Sequence, residues 1–296
     1  GGTNLLTPVA NCFYESTPCI FISGQINSKF LRPHKSIRQV GFQETDIISM
    51  VKPITKYAKI IMNPNEIIDE LEKSYSICNS GRKGPVFLDI PLDVQKANIK
   101  TKDHKGVQKK FDGQVFDLKK ARLSIKKYLK DLKKSKRPVF LVGGGAQLSY
   151  CSSKILEIAK ALNVPCIPTW NAIDTVTSDF ELYGGRVGTY GGPGRNFGIQ
   201  NCDLLFGLGT RVSGRITGGN PATFAREAKK YIVDIDPVLL KKKYQPVKFH
   251  ENIHCDLNIF VNIFLDEIKK FDKSKLKKIL VKIKNSKTGS EILKKE

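Results

Sequence analysis

The stretch GRKGPVFLDIPLDV, residues 81–94, decides the fold of the first part of this chain. Between Pro85 and Pro91 its side chains are apolar apart from Asp89, and they do not alternate with polar ones. A short apolar run without alternation is typical of a strand that is buried on both faces of a parallel sheet. We therefore predict a buried strand over residues 84–91.

The segments before this strand fit the same kind of sheet. The apolar run PCIFISG, residues 18–24, predicts another strand that ends in a glycine turn. Residues 65–75 carry apolar side chains at helical spacing. Residues 1–95 are therefore predicted to alternate strands and helices.

The chain after residue 118 repeats this alternation. A first helix is expected to bury a stripe formed by Leu118, Ala121, Leu123, Ile125, Leu129 and Leu132. The predicted strands cover residues 138–142, 164–168, 203–209 and 231–236, and a last helix covers residues 257–268. Such alternation indicates a parallel sheet with helices on its faces. The predicted fold class is α/β, with two doubly wound, mostly parallel-sheet domains.

Composition bounds the class of protein. The 296 residues are 40% apolar and 9% aromatic, which is enough for two cores and too apolar for a disordered chain. No run of 18 apolar residues occurs, so we expect no membrane-spanning helix. The seven cysteines include no CxxC pair, so we predict neither a zinc site nor a disulfide framework. A reducing cytoplasm is the expected compartment.

The net charge of +22 suggests nucleic-acid binding, but its location argues against it. Residues 96–137 carry 16 Lys and Arg against 4 Asp and Glu, and residues 269–296 carry 11 against 3. The rest of the chain is nearly neutral, with 23 against 21. Lysine outnumbers arginine 40 to 10, and few aromatic residues are interleaved with it. We therefore expect solvated basic segments and no nucleic-acid partner.

Glycine-rich turns in the second part suggest a phosphate or nucleotide site. Gly143, Gly144 and Gly145 follow a predicted strand and precede a helix, although Leu148 replaces the third glycine of the dinucleotide fingerprint. A tight turn without a ligand is the alternative for this segment. Seven glycines lie within residues 184–198. Arg211 and Arg215 follow the predicted strand 203–209, and Asp234 and Asp236 end the strand 231–236. All four would lie at the ligand-binding edge of such a sheet.

Catalytic motifs are scarce. The chain has no GxSxG and no P-loop, and His34 and His254 are expected to be surface or core residues. Glu44, within residues 41–44, is the acid of greatest interest in the first domain, with a solvent-facing or interface glutamate as the alternative.

Several motifs taken together resemble a known family. In the first domain they lie at residues 2–5, 24–25, 41–44, 52–56 and 81–94, and in the second at residues 143–145, 201–205, 209–211 and 233–237. This set, in this order, resembles the pyrimidine-binding and central domains of thiamine-diphosphate enzymes, in the acetolactate synthase branch. The resemblance covers nearly the whole chain.

The resemblance implies roles for residues of the first domain. Gly2, Thr3 and Asn4 would line the aminopyrimidine site, together with Gly24. Gln25, Phe42 and Gln43 would lie near the reacting centre and count as catalytic. The implied reaction decarboxylates a 2-oxo acid such as pyruvate and joins the remainder to a second carbonyl compound, as in branched-chain amino acid biosynthesis. The implied assembly is a homodimer or homotetramer.

For the second, Rossmann-like domain the resemblance implies FAD as a structural cofactor. The residues it assigns to FAD are Arg82, the three glycines at 143–145, Gly188, Arg211, Asp234 and Asp256. Val187 stands where that branch has a histidine, and Trp170-Asn171-Ala172 replaces a small apolar run. A relative with another carbonyl acceptor, such as those of surface-polysaccharide pathways, would fit equally well.

The resemblance also implies four segments. Residues 1–98 would be the C-terminal part of a pyrimidine-binding domain, 99–117 a Lys-rich linker, 118–268 the central domain and 269–296 a linker toward a diphosphate-binding domain. The family's catalytic glutamate and its Gly-Asp-Gly site for Mg2+ would lie outside the chain, so the chain alone is expected to be inactive. A nucleotide-binding regulatory module and a nucleotide-dependent oxidoreductase remain the alternatives.

Overall fold

The structure is a computed structural model, and it describes residues 1–99, 114–189 and 191–271. The chain divides into two compact units, Gly1–Gln114 and Val115–Glu296. Most of the predicted linker at 99–117 and of the basic segment at 269–296 lies outside the described residues. Each unit has one sheet, and all strand pairs in both sheets are parallel, which confirms the predicted α/β class.

The first unit contains a three-stranded parallel sheet in the order β1-β3-β2. Its strands are β1 Cys19–Gln25, β2 Tyr57–Ile60 and β3 Pro85–Pro91. Its helices are α1 Leu6–Glu15, α2 Ile47–Val51, α3 Ile67–Asn79 and α4 Leu92–Gln95. Strand β3 is central and buried along most of its length, as its unbroken apolar run predicts.

The second unit contains a five-stranded parallel sheet in the order β5-β4-β6-β7-β8. Its strands are β4 Pro138–Val142, β5 Cys166–Pro168, β6 Leu204–Leu208, β7 Lys229–Asp234 and β8 Glu251–His254. Its helices are α5 Leu118–Leu132, α6 Gly145–Leu148, α7 Ser152–Leu162, α8 Pro193–Gln200, α9 Gly214–Thr217 and α10 Leu257–Lys270. In the described parts of the chain, no helix has the length and apolar character that crossing a bilayer requires.

Helix α5 corrects the predicted buried stripe. Leu118 and Leu123 are exposed, whereas Tyr128 is fully buried among aromatic rings of the sheet and of α10. The buried face runs from Ala121 through Ile125 to Leu132, and Leu123 lies about 200° around the helix from Ala121. Leu123 therefore faces solvent.

The sequence analysis missed two strands, β2 and β8. Strand β2 contains Lys59, whose ammonium group bonds to Glu66 at 2.8 Å and to Glu70 at 2.9 Å. Strand β8 is the polar run ENIH at the edge of its sheet. Because both strands contain charged or polar residues, they lack the continuous apolar run from which the other strands were predicted.

Candidate functional site

A hydrogen-bonded cluster occupies the carboxyl end of β1 in the first unit. The Nε2 group of Gln25 donates to the Thr45 carbonyl at 2.7 Å and to Asp89 Oδ2 at 2.9 Å. The Oε1 atom of Gln25 accepts from the Ile26 N–H at 3.0 Å. Since all three partners are fixed as donor or acceptor by their chemistry, the orientation of the Gln25 amide is unambiguous.

Asp89 is the buried anchor of this cluster. It lies in the central strand β3, opposite Ser23 of β1, and only 1% of its surface is exposed. Ser23 Oγ donates to Asp89 Oδ1 at 2.6 Å. Burial raises the pKa of Asp89 above its usual range, although the bonds from Ser23 and Gln25 oppose this rise.

Glu44 fastens the loop that follows β1. Its carboxylate accepts from the Arg32 N–H at 2.8 Å and from the Val40 N–H at 2.9 Å. Burial alone would raise the pKa of Glu44, but these backbone donors hold it below its usual range. Both carboxylate oxygens therefore stabilise the loop.

The tip of this loop presents two of the predicted catalytic residues. Phe42 is 84% exposed, and Gln43, also exposed, has a positive φ of 65°. A non-glycine residue in this region is uncommon and needs support from its surroundings. The loop tethered by Glu44 supplies that support, so the structure displays the Phe42 ring outward.

The other predicted residues of the first unit are divided between two ends of its sheet. Gly2, Thr3 and Asn4 lie in the short 3-10 helix Gly2–Leu5, which contacts β1, and Gly24 lies in β1 itself. Arg82 precedes β3 and therefore lies at the amino end of the sheet, where its Nε group donates to Ser16 Oγ at 3.0 Å. The structure thus separates Arg82 from Gln25.

In the second unit, the strand order reverses between β4 and β6. Strand β5 lies on one side of β4, while β6, β7 and β8 follow on the other side. Ligands of open parallel sheets bind at such a reversal, outside the carboxyl ends of the strands. Gly143–Gly145 and Arg211 follow β4 and β6, so they flank this crevice.

The glycines of this crevice pack against backbone. A Cβ atom on Gly143 would lie 2.1 Å from the Gly209 carbonyl oxygen, and one on Gly145 would lie 2.9 Å from Gly209 Cα. The N–H groups of Gly143 and Gly145 donate to the carbonyls of Leu208 and Gly209. Both groups are therefore engaged within the protein, and the close approach of the two turns accounts for these glycines.

Gly188, in the loop that begins at Gly184, is held next to the same edge. Gly188 has a φ of 100°, and a Cβ atom there would lie 2.2 Å from the Arg215 carbonyl oxygen. Asn196 of α8 holds Gly188 through both backbone groups, at 2.9 and 3.1 Å. Gly188 is thus placed beside the segment that follows β6.

The two predicted acids of the second unit support turns at this edge. Asp234 ends β7 and accepts from the Asp236 N–H at 2.9 Å. Asp256 follows β8 and caps α10 through the N–H groups of Asn258 and Ile259, at 2.9 and 3.1 Å. The structure therefore gathers Gly188, Arg211, Asp234 and Asp256 at the edge that Gly143–Gly145 flank, and their binding roles stay predictions.

Histidines and cysteines take structural positions in the described parts. The Nε2 atom of His254 lies 3.1 Å from the Ile235 carbonyl oxygen, and Nδ1 of His34 lies 2.7 Å from Ser36 Oγ. All seven cysteines fall within the described residues and carry free thiols. Among residues 1–99, 114–189 and 191–271, no group of three or more His, Cys, Asp or Glu side chains could hold a metal ion.

Basic residues of α5 are used in ion pairs within the second unit. Arg122 and Lys126 pair with the buried Glu267, and Lys127 pairs with Glu251. These pairs fasten α5 to α10 and to β8. Part of the positive charge of this segment is therefore neutralised by the fold.

Sequence reasoning missed Ser23, Asp89 and Lys56 as members of polar clusters. Lys56 donates to the carbonyls of Ile77 and Ser80, which end α3. An aspartate inside an otherwise apolar strand was the available signal for Asp89, because a buried carboxylate needs donors.

The comparisons with known proteins agree with this organisation. The family model described as "Thiamine pyrophosphate enzyme, central domain" matches residues 125–262, within the second unit. The chain is 35% identical over 244 residues to a probable acetolactate synthase large subunit of Methanocaldococcus jannaschii, covering 82% of this chain and 40% of that protein.

Two further relatives carry the same kind of name. The acetolactate synthase isozyme 2 large subunit of Escherichia coli (strain K12) is 28% identical over 272 residues, covering 92% of this chain and 47% of that protein. The acetolactate synthase large subunit of Corynebacterium glutamicum is 33% identical over 247 residues, covering 82% and 37%. The chain thus spans less than half the length of each of these relatives. It belongs to the thiamine pyrophosphate enzyme family, in the acetolactate synthase-like branch.

Proposed function

We propose that the complete protein containing these residues decarboxylates a 2-oxo acid, with pyruvate as the donor, and joins the product to a second carbonyl compound. One observation carries this proposal: Gln25, which the resemblance places near the reacting centre, is held at the carboxyl end of β1 by hydrogen bonds with Thr45, Asp89 and Ile26. The similarity to proteins named acetolactate synthase large subunit supports it.

The donors and acceptors at this end fit a heteroaromatic ring with an amino group. Gln25 Oε1 keeps one lone pair after accepting from Ile26, so it can accept from a ring amino group. Thr3 and Asn4 are exposed and can contribute further polar contacts. Thiamine diphosphate, when bound, supplies the chemistry that removes carbon dioxide from the 2-oxo acid and passes on the remaining carbonyl carbon.

The chain's own residues would bind and orient the cofactor and substrate and enclose them. The Glu44 tether holds the loop that carries Phe42, and the exposed ring of Phe42 can cover apolar surface and exclude water. Because Phe42 is so exposed in one chain, we include a homodimer or homotetramer in the proposal, with a second chain covering this ring. We also propose that the protein is cytoplasmic.

The proposal also includes Mg2+ and FAD, which rest on other observations than the Gln25 cluster. We include Mg2+ because the resemblance to thiamine-diphosphate enzymes implies it; among the described residues, no group of three or more His, Cys, Asp or Glu side chains could hold the ion. For FAD we propose the crevice between β4 and β6, which the reversal of strand order supports. The N–H groups of Gly143 and Gly145 are already bonded, so Arg211 would have to provide the charge for a diphosphate.

The test is an assay of the complete protein with pyruvate, thiamine diphosphate and Mg2+. Carbon dioxide release that requires thiamine diphosphate, with formation of a new carbon–carbon bond, is the expected result. Nicotinamide-dependent oxidation without a thiamine requirement would favour the oxidoreductase alternative, and nucleotide binding without turnover would favour a regulatory module. A visible absorption spectrum of the purified protein tests the flavin, and light scattering tests the assembly.

A further inference from the structure

The amide of Gln25 is saturated on its donor side. Both Nε2 hydrogens are used, one by the Thr45 carbonyl at 2.7 Å and one by Asp89 at 2.9 Å. On the acceptor side, the Ile26 N–H takes one of the two lone pairs of Oε1. With respect to the residues that the structure describes, the one hydrogen-bonding capacity that remains on this side chain is therefore an acceptor.

Asp89 is the side chain that supports this polarity, together with the Thr45 carbonyl and the Ile26 N–H. A carboxylate can only accept, and its second oxygen is held by the Ser23 hydroxyl at 2.6 Å. If the Gln25 amide were turned over, Oε1 would face the Asp89 carboxylate and the Thr45 carbonyl, while Nε2 would face the Ile26 N–H. All three contacts would then be unfavourable, so the buried carboxylate and the two backbone groups together allow one orientation only.

We propose that Asp89 is a positioning residue, which holds the Gln25 amide with its carbonyl oxygen as the group offered to a ligand. The ligand atom facing Gln25 is then a hydrogen-bond donor, an N–H or O–H group, and not a carbonyl or carboxylate oxygen. Of these two residues, the family resemblance implied a role for Gln25 and none for Asp89. This inference rests on the proposed function for the identity of the ligand, but the link between Asp89 and Gln25 does not.

The link itself is tested without any activity measurement. In the 1H–15N spectrum, the side-chain amide signals of Gln25 are identified by their loss in Gln25→Met. Asp89→Asn should shift both signals, because an asparagine amide can place its own NH2 group against Nε2. Asp93→Asn is the matched control, since Asp93 is in the same segment but bonds to Ser28, and it should leave the signals in place. Unchanged Gln25 signals in Asp89→Asn would overturn the proposal.

The functional part is tested by a double-mutant cycle in the complete protein. Asp89→Asn should lower kcat/KM for the 2-oxo acid between about 10- and 100-fold, as misplacement of a reacting group does. Asp89→Asn combined with Gln25→Met should then be no worse than Gln25→Met alone, within about twofold. Multiplying losses would show that Asp89 acts independently of Gln25 and would overturn the positioning role.

Two outcomes separate this inference from the proposed function. If the wild-type protein shows no thiamine-dependent turnover, the proposed function fails, while the amide signals still decide whether Asp89 positions Gln25. If Asp89→Asn does not fold, Ser23→Ala replaces it, because freeing one Asp89 oxygen should shift the same Gln25 signals by a smaller amount. Unchanged signals in Ser23→Ala would then count against the proposal.

Discussion

Different kinds of contact order the carboxyl ends of the two sheets. In the first unit, directed side-chain bonds order the end of β1: Gln25 is held by Asp89, and the following loop by Glu44. In the second unit, glycines let two backbone turns touch, with Gly143 and Gly145 against Gly209. The first arrangement should be sensitive to a change of charge or of hydrogen-bonding group, and the second to the addition of a single methyl group.

The largest expected effect is that of Gly143→Ala in the second unit. The added methyl group would lie 2.1 Å from the Gly209 carbonyl oxygen and 2.6 Å from Thr210 Cβ, and the backbone cannot yield cheaply. We expect a loss of about 3 kcal/mol or more in the free energy of unfolding, measured by urea denaturation. Gly198→Ala is the control, because nothing lies within 4 Å of its added Cβ in helix α8. Similar stabilities of the two variants would contradict the backbone-contact explanation.

Ser23→Ala should have the next largest effect, in the first unit. It removes a hydrogen bond to the buried Asp89 carboxylate, which should lower the free energy of unfolding by about 1–2 kcal/mol at neutral pH. The pKa of Asp89 is raised in the folded state, so its ionisation opposes folding as pH rises through the ordinary aspartate value. Loss of the Ser23 donor should raise the pKa of Asp89 further and so increase the free-energy cost of ionising Asp89 in the folded state. The nearby Asp46 also raises this pKa. Urea denaturation of both proteins across acid to neutral pH should show a difference that grows with pH, and a pH-independent difference would contradict this account.

Glu44→Gln should have a smaller, local effect. A glutamine offers one oxygen in place of two, so it cannot accept from both Arg32 and Val40. We expect the protection of these two amides against hydrogen exchange to fall about fivefold at neutral pH. Because the pKa of Glu44 is lowered by these bonds, the wild-type tether is complete above the ordinary glutamate value and is lost as pH falls through the still lower folded value. Equal protection in the two proteins would show that Glu44 does not hold the loop.

The smallest effect on stability is expected for Gly24→Ala. Its added Cβ would meet only the end of the Gln95 side chain, at 3.1 Å, and that side chain can move. We expect a change below about 1 kcal/mol in a thermal melt. If Gly24 lines the cofactor site, thiamine-dependent turnover of the complete protein should nevertheless fall. If Gly24→Ala lost as much stability as Gly143→Ala, the two glycine positions would not differ as we expect.

The sequence predicted the units' main strands because their apolar runs are continuous. The buried run at 84–91 and the run at 138–142 appear as β3 and β4. Prediction failed where polar residues enter a strand, as in β2, whose Lys59 finds Glu66 and Glu70 on the following helical turns. It also failed at Leu123, because an apolar side chain alone does not say on which face of α5 it lies.

The sequence motifs indicated some of the candidate site residues but not the contacts between them. Motif resemblance pointed to Gln25 and Phe42, which lie on the β1 end and on its loop. It did not point to the bond between Gln25 and Asp89, whose partners are 64 positions apart in the chain. Arg82 was assigned with the nucleotide residues, yet in the first unit it lies at the amino end of the sheet, bonded to Ser16.

The sequence by itself determined the α/β alternation, the positions of the tight turns and the family. These depend on local apolar periodicity, on glycine placement and on short motifs, all of which are properties of neighbouring residues. Only the tertiary structure decided which end of the Gln25 amide is free, which glycine N–H groups are already bonded and that Glu44 holds a loop. Hydrogen-bonding capacity is shared among partners that folding brings together, so it can be counted only once those partners are in place.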